Sequence, residues 1–261
     1  VNRRGGLSWL NHIDSAVLAA SSASTGLPVS NLQTIRLKRV WRSAGDLTIS
    51  ITAAFPAPRP IDVLGLFGCN ATESALWRWR LSSTAAHDGD QYDTGVAAMN
   101  RALILGARGQ AVQVRPAGPV MAAYLKLDLM DSGLPYFQAG LLWAGTLWQP
   151  EVNFSYGQAP KVGDDSVTST SKGGDDYTDV LPQYMTDSFT LPAVTEAEYQ
   201  DTLLELDRIA GTARNVLWLR TPQDDATRNK TAILGRMTAL APSPSVSHNR
   251  RSRQFQIKER L

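Results

Sequence analysis

The first 150 residues of this chain break into short segments in which apolar and polar side chains alternate between turn-forming residues, with almost no helical period. A period of two sends successive side chains to opposite faces, which a strand does and a helix cannot. Trp77-Arg78-Trp79-Arg80-Leu81 is the clearest case: the two indoles and Leu81 share one face, and the arginines take the other. Leu47-Thr48-Ile49-Ser50-Ile51, Val112-Gln113-Val114 and Tyr124-Leu125-Lys126-Leu127-Asp128-Leu129 repeat the pattern. Residues 61–67 and Gly140-Leu141-Leu142-Trp143-Ala144-Gly145 are apolar almost throughout and read as core strands. Between them Pro56, Pro58 and Pro60 predict a rigid, extended connector that cannot donate to a ladder. Many short strands spaced in this way predict a mainly β chain that opens with a jelly-roll β-sandwich over residues 13–150.

The composition changes after residue 150. Gly157, Gly163, Gly173 and Gly174, with Asp164, Asp165, Asp175, Asp176 and Asp179, mark 155–184 as a flexible or irregular stretch and the boundary between two regions. One helix follows, over 195–210. Thr195-Glu196-Ala197-Glu198 is a capping box, Tyr199, Leu203, Leu206 and Ala210 fall on one face, and Gly211 supplies the stop. Asn215-Val216-Leu217-Trp218-Leu219 and the segment 232–240 read as strands. The chain closes on a patterned strand in which Phe255, Ile257 and Leu261 share a parity. Residues 151–261, with or without 1–12, are therefore expected to form a second β-rich domain containing that helix.

With 43% hydrophobic and 19% charged residues, the chain can build cores of its own. A net charge of +2 gives no general attraction to nucleic acid or to an anionic membrane, and neither is expected as a partner. A single cysteine, Cys69, excludes an intrachain disulfide framework; within its apolar run it reads as a small buried hydrophobe. The basic start Val1-Asn2-Arg3-Arg4 runs into Asn11, His12 and Asp14, which a secretory signal would not carry, so export by that route is not expected.

Residues capable of chemistry are sparse. His12, His87 and His248 have no histidine or cysteine at metal-ligand spacing, and there is no Gly-x-Ser-x-Gly elbow and no phosphate-cradling glycine motif. The cluster His87-Asp88-Gly89-Asp90-Gln91-Tyr92-Asp93 lacks the spacing and the glutamate of a calcium loop and reads as a solvated hairpin loop, as do the aspartates of 164–179. Arg36, Lys38, Arg39 and Arg42 read as the solvent side of a strand or loop, and Arg250, Arg251 and Arg253 as a subunit contact or a phosphate contact. Trp41, Trp77 and Trp79 are assigned to the core, and Trp143 and Trp148 to an interface. No catalytic, cofactor-binding or metal-binding residue is assigned, no cofactor is expected, and the chain is read as a non-enzyme. A glycosidase would need two acids facing each other across a cleft at about 5 to 10 Å.

Two stretches resemble known families. The run from Ser21 through Gly26-Leu27-Pro28-Val29-Ser30-Asn31-Leu32, then Val40-Trp41-Arg42-Ser43 and Ile61-Asp62-Val63-Leu64-Gly65-Leu66-Phe67-Gly68-Cys69-Asn70, resembles the start of a discoidin-like (galactose-binding-like) jelly roll. Tyr124-Leu125-Lys126-Leu127 and Ala139 to Gly145 resemble its later strands. In that likeness Pro28 and Asn31 shape a tight loop and Trp41 plugs the sandwich. The second half, through its helix, Leu234-Gly235-Arg236 and Arg253-Gln254-Phe255-Gln256-Ile257-Lys258-Glu259, is similar to the end of phage distal-tail and minor-tail proteins. The resemblance implies a structural subunit of a phage tail tip or baseplate, assembled in the bacterial cytoplasm and carried in the virion. Such a subunit would form a homo-oligomeric ring that joins the tail tube to hub or receptor-binding proteins, with edge strands and the segment 155–184 as contact elements. The alternative is a carbohydrate-binding module that touches a host surface glycan, which would show exposed aromatics such as Tyr92 or Tyr136 on the jelly-roll loops.

Overall fold

A computed structural model describes residues 4–46, 48–104 and 108–260. The chain is mainly β, and its three large sheets stack in layers. The outer sheet runs in the order Val17–Ala20, Thr48–Ile61, Val120–Met130, Leu76–Ser82 and Tyr92–Asp93, with Ala97–Ala98 also on Leu76–Ser82. The middle sheet is Leu141–Gly145, Val63–Cys69, Arg108–Val114 and Ala102–Ile104. Together these two form the jelly-roll-like sandwich. The third sheet is Gly6–Ser8, Val216–Leu219, Ile233–Met237, Arg250–Glu259, Tyr184–Thr195 and Lys161–Gly163, with Ser245–Ser247 beside Arg250–Glu259.

Side-chain parity builds the layers. Trp77, Trp79 and Leu81 point into the sandwich, where they meet Leu64, Leu66, Leu142 and Trp41. The arginines between them face out and pair with carboxylates, Arg78 with Asp93 and Arg80 with Asp128. Val63, Phe67, Val112, Leu141 and Trp143 project from the other face of the middle sheet onto Leu217, Leu219, Ala232 and Leu234 of the third. Val216, Trp218, Ile233 and Met237, of opposite parity, turn instead to Leu203, Leu206 and Ala210 of the helix. The middle sheet is thus covered on both faces, and the near-continuous apolar composition of its strands follows from that. Trp143 is buried in this internal seam and donates its indole N–H to Ser8 Oγ at 3.1 Å, so it is not on an outer surface as its assignment to an interface had it. Trp148 packs half-buried against the helix-side core.

A polar latch fastens the same seam. Asn229 accepts the Val112 amide at 2.9 Å and donates to Asn100 at 2.7 Å, while Arg228 donates to the Val112 carbonyl at 2.8 Å. Gln110 returns hydrogen bonds to the carbonyls of Asn229 and Ala232. Buried backbone groups near the edge of the middle sheet thereby find partners in the third region. The opposite edge strand, Leu141–Gly145, is met by one side chain. Asn11 donates to the Leu142 carbonyl at 3.0 Å and accepts the Ala144 amide at 3.0 Å, as a neighbouring strand's peptide would.

Several expectations are met. Pro28 leads into a 3-10 turn, Val29–Gln33, and Asn31 donates to the Val40 carbonyl at 2.8 Å; Trp41 is fully buried. Thr195 and Glu198 form the capping box, and the helix runs on as Glu196–Glu198, a π segment Tyr199–Leu203, and Leu204–Ile209. Gly211, at φ +50°, takes the left-handed stop. Phe255 and Ile257 are buried together, while Leu261, like Leu47, lies outside the described residues.

Two further expectations are corrected. Pro56, Pro58 and Pro60 lie inside the 14-residue strand Thr48–Ile61, which pairs with Val120–Met130 across a register shift between Ala122 and Tyr124. The strand Val17–Ala20 flanks this segment only as far as Ala54, so beyond that point it has an open edge, where proline leaves no ladder bond unmade. The stretch 155–184 is not irregular throughout. It contributes Lys161–Gly163 to the third sheet and a separate two-stranded hairpin, Val167–Thr170 with Asp176–Asp179.

Candidate functional site: a free-standing acidic hairpin

The hairpin grows from the edge of the third sheet, where Lys161–Gly163 pairs with Tyr184, Met185 and Thr186. A Cβ on Gly163 would lie 2.4 Å from the Tyr184 ring, so only glycine lets that ring lie across the strand. The root is fixed by hydrogen bonds. Asp164 accepts from Gln183 at 3.0 Å and from the Ser166 amide at 2.9 Å, and these bonds hold its carboxyl down at about 2. The Tyr184 hydroxyl donates to Asp165 at 3.0 Å, and the Lys258 ammonium sits 3.5 Å from the centre of the Tyr184 ring and 3.6 Å from Asp165. At the tip, Gly174 at φ +91° closes the turn and donates to the Ser171 carbonyl.

Beyond its root the ribbon touches little. All eight residues of its two strands are exposed. Register places Val167 opposite Asp179 and Ser169 opposite Tyr177, so these four share one face. The other face is polar and internally bonded: Thr168 with Thr178 at 3.0 Å, and Thr170 with Asp176 at 2.6 Å. Val167 is 62% exposed and Tyr177 63%, with Val180 and Leu181 exposed just after them. Residues 162–181 carry five aspartates against one lysine, Lys172, so the ribbon is strongly acidic. An isolated two-stranded ribbon is marginal in water, and the exposed Val167 and Tyr177 side chains are what a covering surface would bury.

The other candidates resolve into internal bonds. Asp90 accepts from Ser83 and Gln91, which lowers its carboxyl to about 2, and Asp93 is held near 2 by the Arg78 guanidinium. His87, at φ +53°, packs edge-on to Tyr124. Among the described residues no three His, Cys, Asp or Glu side chains converge as a metal site. Cys69 is buried and its thiol is pushed up to about 11 by that burial. Arg250 pairs with Glu151, Arg251 with Glu196, and the buried Arg253 with Asp207, so all three arginines are engaged within the chain rather than offered to a phosphate or a second subunit. Arg42 lies 4.2 Å from the Tyr136 ring centre and bonds Gln138. Arg36, Lys38 and Arg39 differ: all three are exposed and, among the described residues, pair with no carboxylate.

The two rings singled out as sugar platforms are half-buried, and each lies under a guanidinium, Tyr136 beneath Arg42 and Tyr92 beneath Arg115. Among the described residues the exposed tyrosines are Tyr156 and Tyr177, both in the region that carries the hairpin. The hairpin was legible as a Gly-Gly pair between threonine- and tyrosine-containing runs; its aspartates made it read as loop.

No family model matches the chain, and no curated protein does. Among solved structures, about half of the chain is similar to the family 32 carbohydrate-binding module of C. perfringens NanJ in complex with galactose, at 11% identity and a TM-score of 0.42, covering 52% of this chain and 98% of that one. A Streptococcus pneumoniae fucose binding module is similar at 11% identity and a TM-score of 0.40, covering 53% and 96%. SpGH29 matches at 14% identity and a TM-score of 0.41, and there the match spans 52% of this chain and only 28% of the other. At these values the likenesses assign neither a ligand nor an activity.

Proposed function

We propose that this chain is a structural, non-catalytic assembly subunit of the phage tail-tip kind, associating through its acidic hairpin. The observation that carries the reading is the ribbon itself: eight exposed strand residues, with Val167 and Tyr177 open on one face, fixed at the root and uncovered beyond it. Its occupant is a second copy of the chain. The exposed cations Arg36, Lys38 and Arg39 on the jelly roll, which pair with no carboxylate among the described residues, complement the aspartates of the ribbon. Such a head-to-tail contact closes into a ring when the rotation allows it.

The test is the mass in solution by sedimentation at low and high salt. Defined oligomers that dissociate as salt rises, and that vanish when Asp175, Asp176 and Asp179 become lysine, support the reading. A monomer at every concentration, indistinguishable from a chain lacking 167–179, rejects it. A second reading, glycan binding by the jelly roll, starts from the aromatic–polar pairs Tyr136 with Arg42, which also bonds Gln138, and Tyr92 with Arg115. Retention of that monomer on a glycan array, lost in Tyr136→Ala, would favour it.

A further inference from the structure

A cleft of about 310 Å³ lies at the root of the hairpin, and three of the residues that line it are cations, Arg236, Lys258 and Arg260. Strand register sets Arg236 directly opposite Lys258. Arg260 follows Lys258 at the same parity, with its amide on the Leu234 carbonyl at 3.0 Å, so all three share one face of the third sheet. Like charges directly opposite each other destabilise a strand pair, and this arrangement calls for a counter-ion. Asp165 serves Lys258 alone, at 3.6 Å. Among the described residues Arg236 and Arg260 pair with no carboxylate, whereas Arg78, Arg80, Arg251 and Arg253 each have one. Arg236 is exposed, and Arg260 donates to the neutral Ala213 carbonyl at 2.7 Å. Burial, and after it the Arg236 charge, lowers the pKa of the Arg260 guanidinium.

We infer that this cleft binds a small phosphate monoester, its dianionic head held among Arg236, Lys258 and Arg260. A guanidinium presents paired donors that match two oxyanion oxygens at once, and the ammonium adds a point charge. With Asp165 ionised, the three cations leave two positive charges uncompensated, which a dianion balances and a single carboxylate does not. Glu259 also lines the cleft, and burial raises its carboxyl to about 7. Below that value it is mostly uncharged and does not oppose an anion. Leu181, which is 40% exposed, and Pro182 complete the lining with apolar surface, and the Tyr184 ring lies 3.5 Å from the Lys258 ammonium. The cleft is roomier than a phosphate group alone, and the organic part of the ester covers these apolar residues. The site lies within one chain and does not depend on association through the ribbon.

Calorimetric titration of the full chain with phenyl phosphate, sulfate and benzoate tests the proposal. A pH of about 6.5 lies below the Glu259 value and above the second pKa of a phosphate monoester, which is about 6. The expected result is saturable one-to-one binding of phenyl phosphate that weakens as salt rises, with sulfate weaker and benzoate weakest. Arg236→Gln should bind the ester about tenfold more weakly. It should unfold where the parent does, because the Arg236 side chain makes no hydrogen bond or ion pair among the described residues. Lys230→Gln, which removes an exposed cation outside the cleft, should bind the ester as the parent does. Equal losses in the two variants would mean diffuse attraction by net charge and would overturn the site. Absence of saturation at high millimolar concentration overturns it too, as does sulfate or benzoate bound as tightly as phenyl phosphate.

Discussion

Val63–Cys69 and the ribbon formed by Val167–Thr170 and Asp176–Asp179 are opposite extremes of the same secondary structure. Every residue of the first is buried, and every residue of the second is exposed. The first has paired strands on both edges and a core on both faces. The second has only its own partner strand. The contrast teaches that strand formation here is separable from burial: one segment is the centre that three layers share, the other pairs with its neighbour while no layer covers it. Stability and function therefore respond to different mutations.

The largest effect is expected at the centre. Phe67→Ala empties the seam between the middle and third sheets and should cost about 3–5 kcal/mol in denaturant unfolding. Because both cores share that strand, a single cooperative transition should survive; two separate transitions would break the picture of one layered unit. Next comes the latch. Asn229→Ala strands the Val112 amide and the Asn100 carbonyl and should cost about 2–3 kcal/mol.

A smaller effect follows from pH. Burial raises Glu259 from 4.5 to about 7, although the Met185 amide donates to it. Between those values the folded chain keeps a proton that the unfolded chain has released, so stability falls as pH rises through the window and stays lower above it. Glu259→Gln preserves an acceptor for Met185 without the charge, and should stabilise the chain by about 1–2 kcal/mol at pH 8 while flattening the slope between pH 4.5 and 7. Asp62, raised to about 6 by burial, adds a like slope that this variant leaves in place. The smallest change in stability is expected at the ribbon. Tyr177→Ser should shift unfolding by less than about 0.5 kcal/mol and yet weaken self-association in sedimentation. A large loss of stability instead would mean that the ribbon supports the fold.

Much of this was legible in residue order. Parity alone put Trp77, Trp79 and Leu81 on one face, and Thr195 with Glu198 announced the helix start, because both signals depend on neighbours in sequence. The stacking of a third sheet on the sandwich does not, since Phe67 and Leu217 meet only in space. Its trace was the lack of alternation in 61–67, 141–144 and 216–219, strands with no solvent face to mark. The prolines misled because their effect depends on whether a neighbouring strand is present, which the residues 56–60 do not record.

The amide of Asn11 carries one last consequence. Leu141–Gly145 ends its sheet, and an open strand edge is a template on which any other chain can add itself, growing without limit and without specificity. By occupying the Leu142 carbonyl and the Ala144 amide with a side chain of fixed length, the protein terminates that template after a single rung. Closure of that edge against indiscriminate growth thus rests on one carboxamide.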